Sequence, residues 1–512
     1  MAIFGNYLFE FSCIVVSIVF GLYLYVKYVA FNYWSSKNIP HPKPAVPFGS
    51  LGPVTRGKRS MGEMIADVYS EYKKNPVIGI YTLTSPALII AKPDLIRFVL
   101  TKEFAHFHDR GVYCNEKIDP LSGHLFALPG AKWKYLRTKF TPTFTASKMK
   151  QMFFTVKETS VILAASVEQS ARKSEIIEVK ELMARFTTDV IASVAFGINC
   201  NSLENPDAEF RTMGRKIFEP RLVKRILGFL LPSVLQFFKI PIIDETISKF
   251  FIRAFREAVE YRTANNIVRK DFLDSVIQLM NKGYVQNDDD KSSVPAKELD
   301  DQKITLLQGA AQAFVFWIGG FDTSSSTITF CLYEMALNLD IQDRLAEEIN
   351  QVLEEYRGVT YESIKAMPYL HKVVSETLRK YPVIPMLNRE CEEDIELPET
   401  GLRVEKGTGI LIPVLGLHSD PDLYPEPEKF DPERFNEENI AKRHPYAYLP
   451  FGEGPRNCIG MRFGLLQTKV GIVSLLSKYR FTPSPDLKPI VMDTANFLQV
   501  PLHGVSLRVQ MR

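Results

Sequence analysis

The segment FGEGPRNCIG, Phe451 to Gly460, sets one cysteine among three glycines, a proline and an arginine. A free thiol usually serves as a small buried hydrophobe, and packing alone needs none of these neighbours. Gly452, Gly454 and Gly460 open backbone conformations closed to other residues. Pro455 stiffens the approach, and Arg456 places a permanent cation near Cys458, which favours a thiolate. A stiff loop whose backbone N–H groups face a sulfur suits a metal thiolate and its supporting donors. A phosphate cradle is excluded, because the GK[ST] ending and the full GxGxxG pattern are both missing.

A second chemical pair, Asp322 and Thr323, follows a run from Ile304 to Phe321 that holds no charged residue. Such a run competes for a membrane span. Gln308 and Gln312 interrupt it, Gly319-Gly320 close it, and apolar residues resume at Ile328 and Phe330. The pattern therefore predicts a helix through the centre of a large domain. A carboxylate and a hydroxyl inside it cost several kcal/mol unless they have partners or a task. The glycine pair would suit something packed flat on the backbone, or a kink that admits a small molecule.

Glu376 and Arg379 stand at i, i+3 on a predicted helix, with Pro432-Glu433-Arg434-Phe435 downstream. Alone, such a pair reads as an exposed ion pair worth a few tenths of a kcal/mol. Trp133 and Arg137 lie one helical turn apart and can donate to a single carboxylate. From Lys132 to Lys150 there are six basic residues and no acidic one, a solvated face or a docking face for an acidic protein.

The elements that must position these residues form a chain of 512 residues with a net charge of +3, too small to imply a nucleic-acid partner. Tyr7 to Val26 is apolar apart from Glu10, Ser12 and Ser17, the length of a membrane-spanning helix. No lysine or arginine precedes it, while Lys27, Lys37, Lys43, Arg56, Lys58 and Arg59 follow, so the bulk of the chain is expected on the cytosolic side. PHPKPAVPFG, Pro40 to Gly49, reads as a stiff extended spacer. Ile226 to Ile243 is apolar but broken by Pro232 and Pro241. It reads as core or as a membrane-dipping segment, with Arg221, Lys224 and Arg225 just upstream.

Val77 to Leu83 and Ala87 to Ala91 predict a hairpin, with further short strands between Ile395 and Ile412. Tyr284 to Lys303, with Asp288-Asp289-Asp290, predicts a solvated loop. The six cysteines form no CxxC pair and fit a reducing compartment. His106 and His108 read as loop histidines, because their spacing is not that of a zinc pair. The expected architecture is mostly α with a small β region: an anchor over 1–30, a basic, proline-rich hinge over 31–53, and one large domain over 54–512.

With these parts assembled, FGEGPRNCIG resembles the haem-binding signature of cytochrome P450 at every fixed position, and ETLR resembles that family's Glu-x-x-Arg motif. PERF, the WxxxR helix and the acid-Thr helix follow in the family's order, from the anchor to about Leu502. The anchor and proline segment resemble the microsomal class, and FHDRGVY, GPRNCIGMRFG and KYPVIP resemble insect members that oxidise xenobiotics and hormones.

The resemblance implies haem b held by the Cys458 thiolate. Trp133, Arg137, Arg389 and Arg456 would hold its propionates, and Phe451, Gly454 and Gly460 would bind it from the loop. Glu376, Arg379 and Arg434 would form a structural ion network, and Asp322 and Thr323 would relay protons to dioxygen. Gly319 stands where the family usually has alanine. Phe126, Phe314, Ile318, Val383, Leu387 and Phe497 are expected to line an apolar substrate pocket. The implied activity is NADPH- and O2-dependent oxygenation of lipophilic substrates at the endoplasmic reticulum membrane. NADPH–cytochrome reductase and cytochrome b5 would be redox partners, membrane lipids would hold the anchor, and no nucleic acid would take part. The rivals are a reductase-independent haem-thiolate isomerase or dehydratase, which would need neither Thr323 nor the basic face, and a non-enzymatic membrane-bound carrier of haem or a lipophile.

Overall fold

The computed structural model describes residues 2–218, 228, 232–286 and 302–512. Arg221, Lys224, Arg225 and the Asp288–Asp290 run lie outside the described residues. Helix α1, Ala2–Tyr28, belongs to the one apolar stretch among the described residues long enough to cross a membrane, and from Phe9 to Tyr28 no residue is buried in the protein. It fits a membrane anchor. The segment after it is not a free spacer. Trp34 is almost wholly buried, its indole N–H donates to Ile80 O at 2.9 Å, and Gly79 N–H donates to Pro40 O at 2.9 Å. The proline stretch is thus tied to the sheet, which fixes how the body meets the anchor.

The hairpin forms as expected, with β1 (Val77–Thr82) antiparallel to β2 (Ser85–Ile90). Strand β3 (Ile176–Glu178) belongs to a second sheet, described below. Strand β4 (Leu387–Glu390) carries Arg389, and β5 (Ile395–Leu397) pairs with β6 (Leu402–Val404). Strand β7 (Gly409–Ile412) runs parallel to β2 and antiparallel to β4, giving the order β1-β2-β7-β4. The second sheet, in the order β3-β9-β8, joins β8 (Tyr479–Pro483) to the C-terminal β9 (Ser506–Met511). Its two ends are far apart in sequence, so local patterning did not reveal it.

The helices that build the site are α2 (Gly130–Phe140), α3 (Ala146–Arg172), α4 (Val179–Phe196), α5 (Glu209–Phe218), α6 (Glu245–Ala264), α7 (Leu306–Leu337), α8 (Pro368–Lys380) and α9 (Met461–Leu476). The long uncharged run becomes α7, buried between α4 and α9 as a core helix. Gln308 interrupts the apolar run because it caps the helix. Its N–H donates to the Thr305 hydroxyl, and its side chain accepts from Thr305 N–H. The helix runs unbroken through Gly319-Gly320.

Behind α8, His418 is wholly buried. Its Nε2 accepts from Leu449 N–H at 2.9 Å, and its carbonyl accepts from Arg379. Burial, helped by the Arg379 cation, pushes its pKa down to about 3. The fold therefore holds this imidazole neutral, whereas the unfolded chain protonates it near its ordinary value of about 6.5. Its contribution is fully present above that value and is lost as pH falls toward the folded pKa. In urea unfolding, acidification from about pH 6.5 to about pH 5.5 should cost the wild type about 1 kcal/mol more than His418→Gln, which keeps an acceptor for Leu449. Equal losses would show that His418 does not titrate on unfolding.

Candidate active site

The cysteine loop turns on two glycines. Gly452 (φ +67°) and Gly454 (φ +79°) hold left-handed conformations that favour glycine. A Cβ on Gly454 would fall 2.0 Å from the Leu100 carbonyl oxygen. Gly454 therefore makes room for the helical turn that carries Leu100, and it does not line the cavity. Cys458 N–H donates to Phe451 O at 2.9 Å, closing the loop, and Gly460 is the N-cap of α9. The Cys458 thiol thus lies at a helix N-terminus, where backbone N–H groups favour negative charge. The sulfur is exposed only into a cavity of about 260 Å³ and is otherwise surrounded by protein. Burial pushes its pKa up, while Gly460 N–H and the Arg137 and Arg110 cations pull the other way.

Four arginines meet at one edge of this cavity: Arg110, Arg137, Arg389 and Arg456. Arg137 donates to Asn457 O at 2.9 Å and to Asn457 Oδ1 at 2.8 Å. Arg456 donates to the carbonyls of His108 and Leu128 and to Asp109 Oδ1 at 3.3 Å, and lies 4.7 Å over the Trp133 ring. The Nε atoms of Arg110, Arg389 and Arg456 are buried without a hydrogen-bond partner. Burial and mutual repulsion push Arg389 down to about 9 and hold Arg110 well below its ordinary value. Among the described residues, Asp109 is the only carboxylate that forms an ion pair with any of the four, and it does so with Arg456. Cations packed in this way call for an anionic ligand, and a flat macrocycle bearing two carboxylates fits both this edge and the apolar room above Cys458.

The sequence reading and the structure agree on much of the wall. Phe126, Trp133, Arg137, Thr323, Val383, Leu387, Arg389, Phe451, Arg456, Gly460 and Phe497 all line the cavity with Cys458. Phe314 and Ile318 do not. The lining residues of α7 are Gln312, Val315, Phe316, Gly319, Gly320, Thr323, Ser324 and Thr327, and Phe314 and Ile318 share the adjacent stripe with Asp322. Phe314 packs on Phe251 of α6, with ring centroids 5.1 Å apart. Asp322 is likewise off the wall and acts electrostatically on Arg211 of α5, which is buried. Thr323 faces the cavity, and its hydroxyl donates to Gly319 O at 2.5 Å. The sequence reading missed Arg110, although FHDRGVY displays it, and Gln312, which it noted only as an interruption.

Glu376 and Arg379 are both fully buried, so this pair is no surface ornament. Arg379 grips Glu376 through Nε at 2.7 Å and Nη2 at 2.8 Å and donates to His418 O and Pro427 O. Glu376 also accepts from Asp431 N–H at 3.0 Å, and Arg434 approaches it at 3.4 Å. This network pins α8 to the PERF turn behind the cysteine loop. The basic stretch is less open than expected: Lys148 is buried, Lys132 pairs with Glu116, and Lys150 pairs with Glu362 at 2.5 Å. His108, a loop histidine as expected, contacts Asp109 at 2.6 Å.

The Cytochrome P450 family model matches residues 39–507. Probable cytochrome P450 6a14 of Drosophila melanogaster is 40% identical over 513 residues, covering 98% of this chain and 99% of that protein. Cytochrome P450 6a2 of the same fly is 42% identical over 501 residues, covering 96% and 97%. Cytochrome P450 6A1 of Musca domestica is 41% identical over 518 residues, covering 99% and 98%.

The glycine pair on α7 separates into two roles. A Cβ on Gly320 would stand 2.4 Å from Ile191 Cδ1, so Gly320 lets α4 approach closely, and its carbonyl accepts from Gln467. A Cβ on Gly319 meets nothing within 4 Å and would project into the cavity. Glycine at 319 thus widens the cavity beside Thr323 and does not serve helix packing. Gly319→Ala should stabilise the protein by up to about 1 kcal/mol through helix propensity. Gly320→Ala should destabilise it by about 1–3 kcal/mol through overpacking against Ile191. Chemical unfolding of the two variants decides this, and a destabilised Gly319→Ala would refute the assignment.

Proposed function

The chain belongs to the cytochrome P450 family, and from that premise we propose that it is a microsomal oxygenase of apolar xenobiotics fed by an NADPH-dependent reductase. It is an oxidoreductase of the haem-thiolate monooxygenase type. The observation that carries the finer reading is the Cys458 thiol at the floor of an apolar cavity whose edge gathers four arginines, of which Arg389 and Arg456 are buried. Cys458 would hold the haem iron, whose charge overrides the burial that otherwise raises the thiol pKa. Arg110, Arg137, Arg389, Arg456 and the Trp133 indole N–H would hold the propionates. When bound, the haem supplies reductive activation of dioxygen, so that one oxygen atom enters the substrate and the other leaves as water.

The chain's own side chains do the rest. Phe126, Phe316, Val383, Leu387 and Phe497 exclude water and select lipophilic substrates. Thr323 Oγ1 carries its proton at the cavity wall, now held by Gly319 O, and rotation about χ1 would present it inward. Asp322, behind that wall beside Arg211, would pass protons inward from the far side of α7. Helix α1 would hold the body on the cytosolic face of the endoplasmic reticulum. Exposed Phe237 and Phe238 would touch the lipid surface, and Lys134 with its basic neighbours would face the reductase. The domain would run over 54–512 behind the hinge over 31–53.

Reduced, carbon monoxide-treated protein should show the strongly red-shifted thiolate Soret band. With reductase, its NADPH consumption should rise on addition of an apolar substrate. Cys458→Ser should lose both. Haem-loaded wild type without that band ends the reading, turnover without NADPH points to an isomerase or dehydratase, and binding without oxygen uptake points to a carrier. Asp322→Asn should slow turnover by about a hundredfold, the scale of a lost proton donor, with azole affinity unchanged. An unslowed variant removes Asp322 from the relay.

A further inference from the structure

Among the polar side chains of the cavity wall, Gln312 has no evident role in the proposed oxidation. It stands on α7 one turn before Phe316, is almost completely buried, and lies on a wall otherwise apolar at that end. A buried primary amide costs several kcal/mol unless both ends are paired. Both are. Gln312 Oε1 accepts from Leu125 N–H at 2.9 Å, and Gln312 Nε2 donates to Gly123 O at 3.0 Å. One side chain therefore grips the backbone of the loop that crosses the cavity, on both sides of His124.

The next residue after that grip is Phe126, whose ring lines the cavity and lies 4.3 Å beneath the Arg110 guanidinium. The same loop is fastened further out. Asp119 Oδ2 accepts from the N–H groups of Ile242 and Ile243 at 3.1 and 3.0 Å, and Asp109 accepts from Gly130 N–H at 2.8 Å. Of these three fastenings, only that of Gln312 comes from the cavity wall itself.

We propose that Gln312 is a positioning residue that sets which substrates fit. By clamping Gly123 and Leu125 to α7, it fixes the Phe126 ring as a size barrier across the cavity. The inference rests on the oxygenase reading of the cavity, because it takes this space as the substrate site. With the clamp released, Phe126 swings away and bulky ligands gain access, while small ones are indifferent.

The test uses the full-length haem protein in detergent and two iron-binding probes, imidazole and 1-(4-biphenylyl)imidazole, followed through their Soret shifts. Gln312→Leu keeps the volume and removes both hydrogen bonds. It should bind the biphenylyl probe about tenfold more tightly, with imidazole within about twofold of wild type. In a Phe126→Ala background the same substitution should change neither probe, because the barrier is already gone. Hydrogen exchange at amides 123–127 should speed up by about tenfold in Gln312→Leu, a readout independent of the haem chemistry. Gln312→Asn, too short to reach both groups, should shift the same way by less and replaces Gln312→Leu if that variant loads no haem.

Equal effects on both probes, no effect on either, unchanged exchange, or an effect that survives Phe126→Ala would each overturn the proposal. Wild type that binds neither probe overturns the oxygenase reading instead. Exchange at 123–127 then still decides the clamp.

Discussion

Arg456 ties the two halves of the cavity together. Its guanidinium reaches from the cysteine loop to the carbonyls of His108 and Leu128 and to the Asp109 carboxylate. Those partners bracket the loop that carries Arg110 and Phe126 over the cavity. Asp109 in turn accepts from the first N–H of α2, which positions Trp133 and Arg137. The thiol, the cationic edge and the aromatic barrier are therefore one connected unit. Because Arg456 is buried and Asp109 is its carboxylate partner, removing Asp109 would leave an uncompensated charge, a loss of about 3–5 kcal/mol.

That unit needs a rigid back wall, and the Glu376–Arg379 pair supplies it. Two carboxylate oxygens meet two guanidinium nitrogens with no solvent access, and the remaining donors go to backbone carbonyls of segments far apart in sequence. On the opposite side, α4 lies close on α7 because Gly320 has no side chain. One face of α7 is thus set by close packing, while the face one residue round the helix is left open as cavity.

This geometry explains what was legible in the residues beforehand. The cysteine loop, the core helix and the hairpin could be read because each is a local pattern of residue type and spacing, whereas the Glu376–Arg379 pair reads from spacing alone as exposed and is buried. The polar residues of α7 marked the right helix, but Phe314 and Ile318 were placed on the wall. A helix that is apolar all round carries no signal of which stripe faces the ligand and which faces α6. Counting from Thr323 in steps of three and four would have selected Gly319, Phe316 and Gln312. Gly454 was misjudged for a related reason: its positive φ was foreseeable, but the Leu100 carbonyl it accommodates comes from a distant part of the chain. Strand β3 and its partner β9 were invisible for the same reason of sequence separation.

The cationic edge also sets a trade between stability and function. Three buried guanidinium Nε atoms without partners, and arginines that depress one another's affinity for protons, are unfavourable in the protein alone. A dianionic group bound there would satisfy those donors and relieve the repulsion together, so its binding free energy is also folding free energy. Arg110 joins that edge to the Phe126 ring through its cation–π contact. The charge balance at the cofactor edge and the width of the substrate cavity are therefore set by the same guanidinium. A substitution at either place should be felt at the other through Arg110, with no change in the fold.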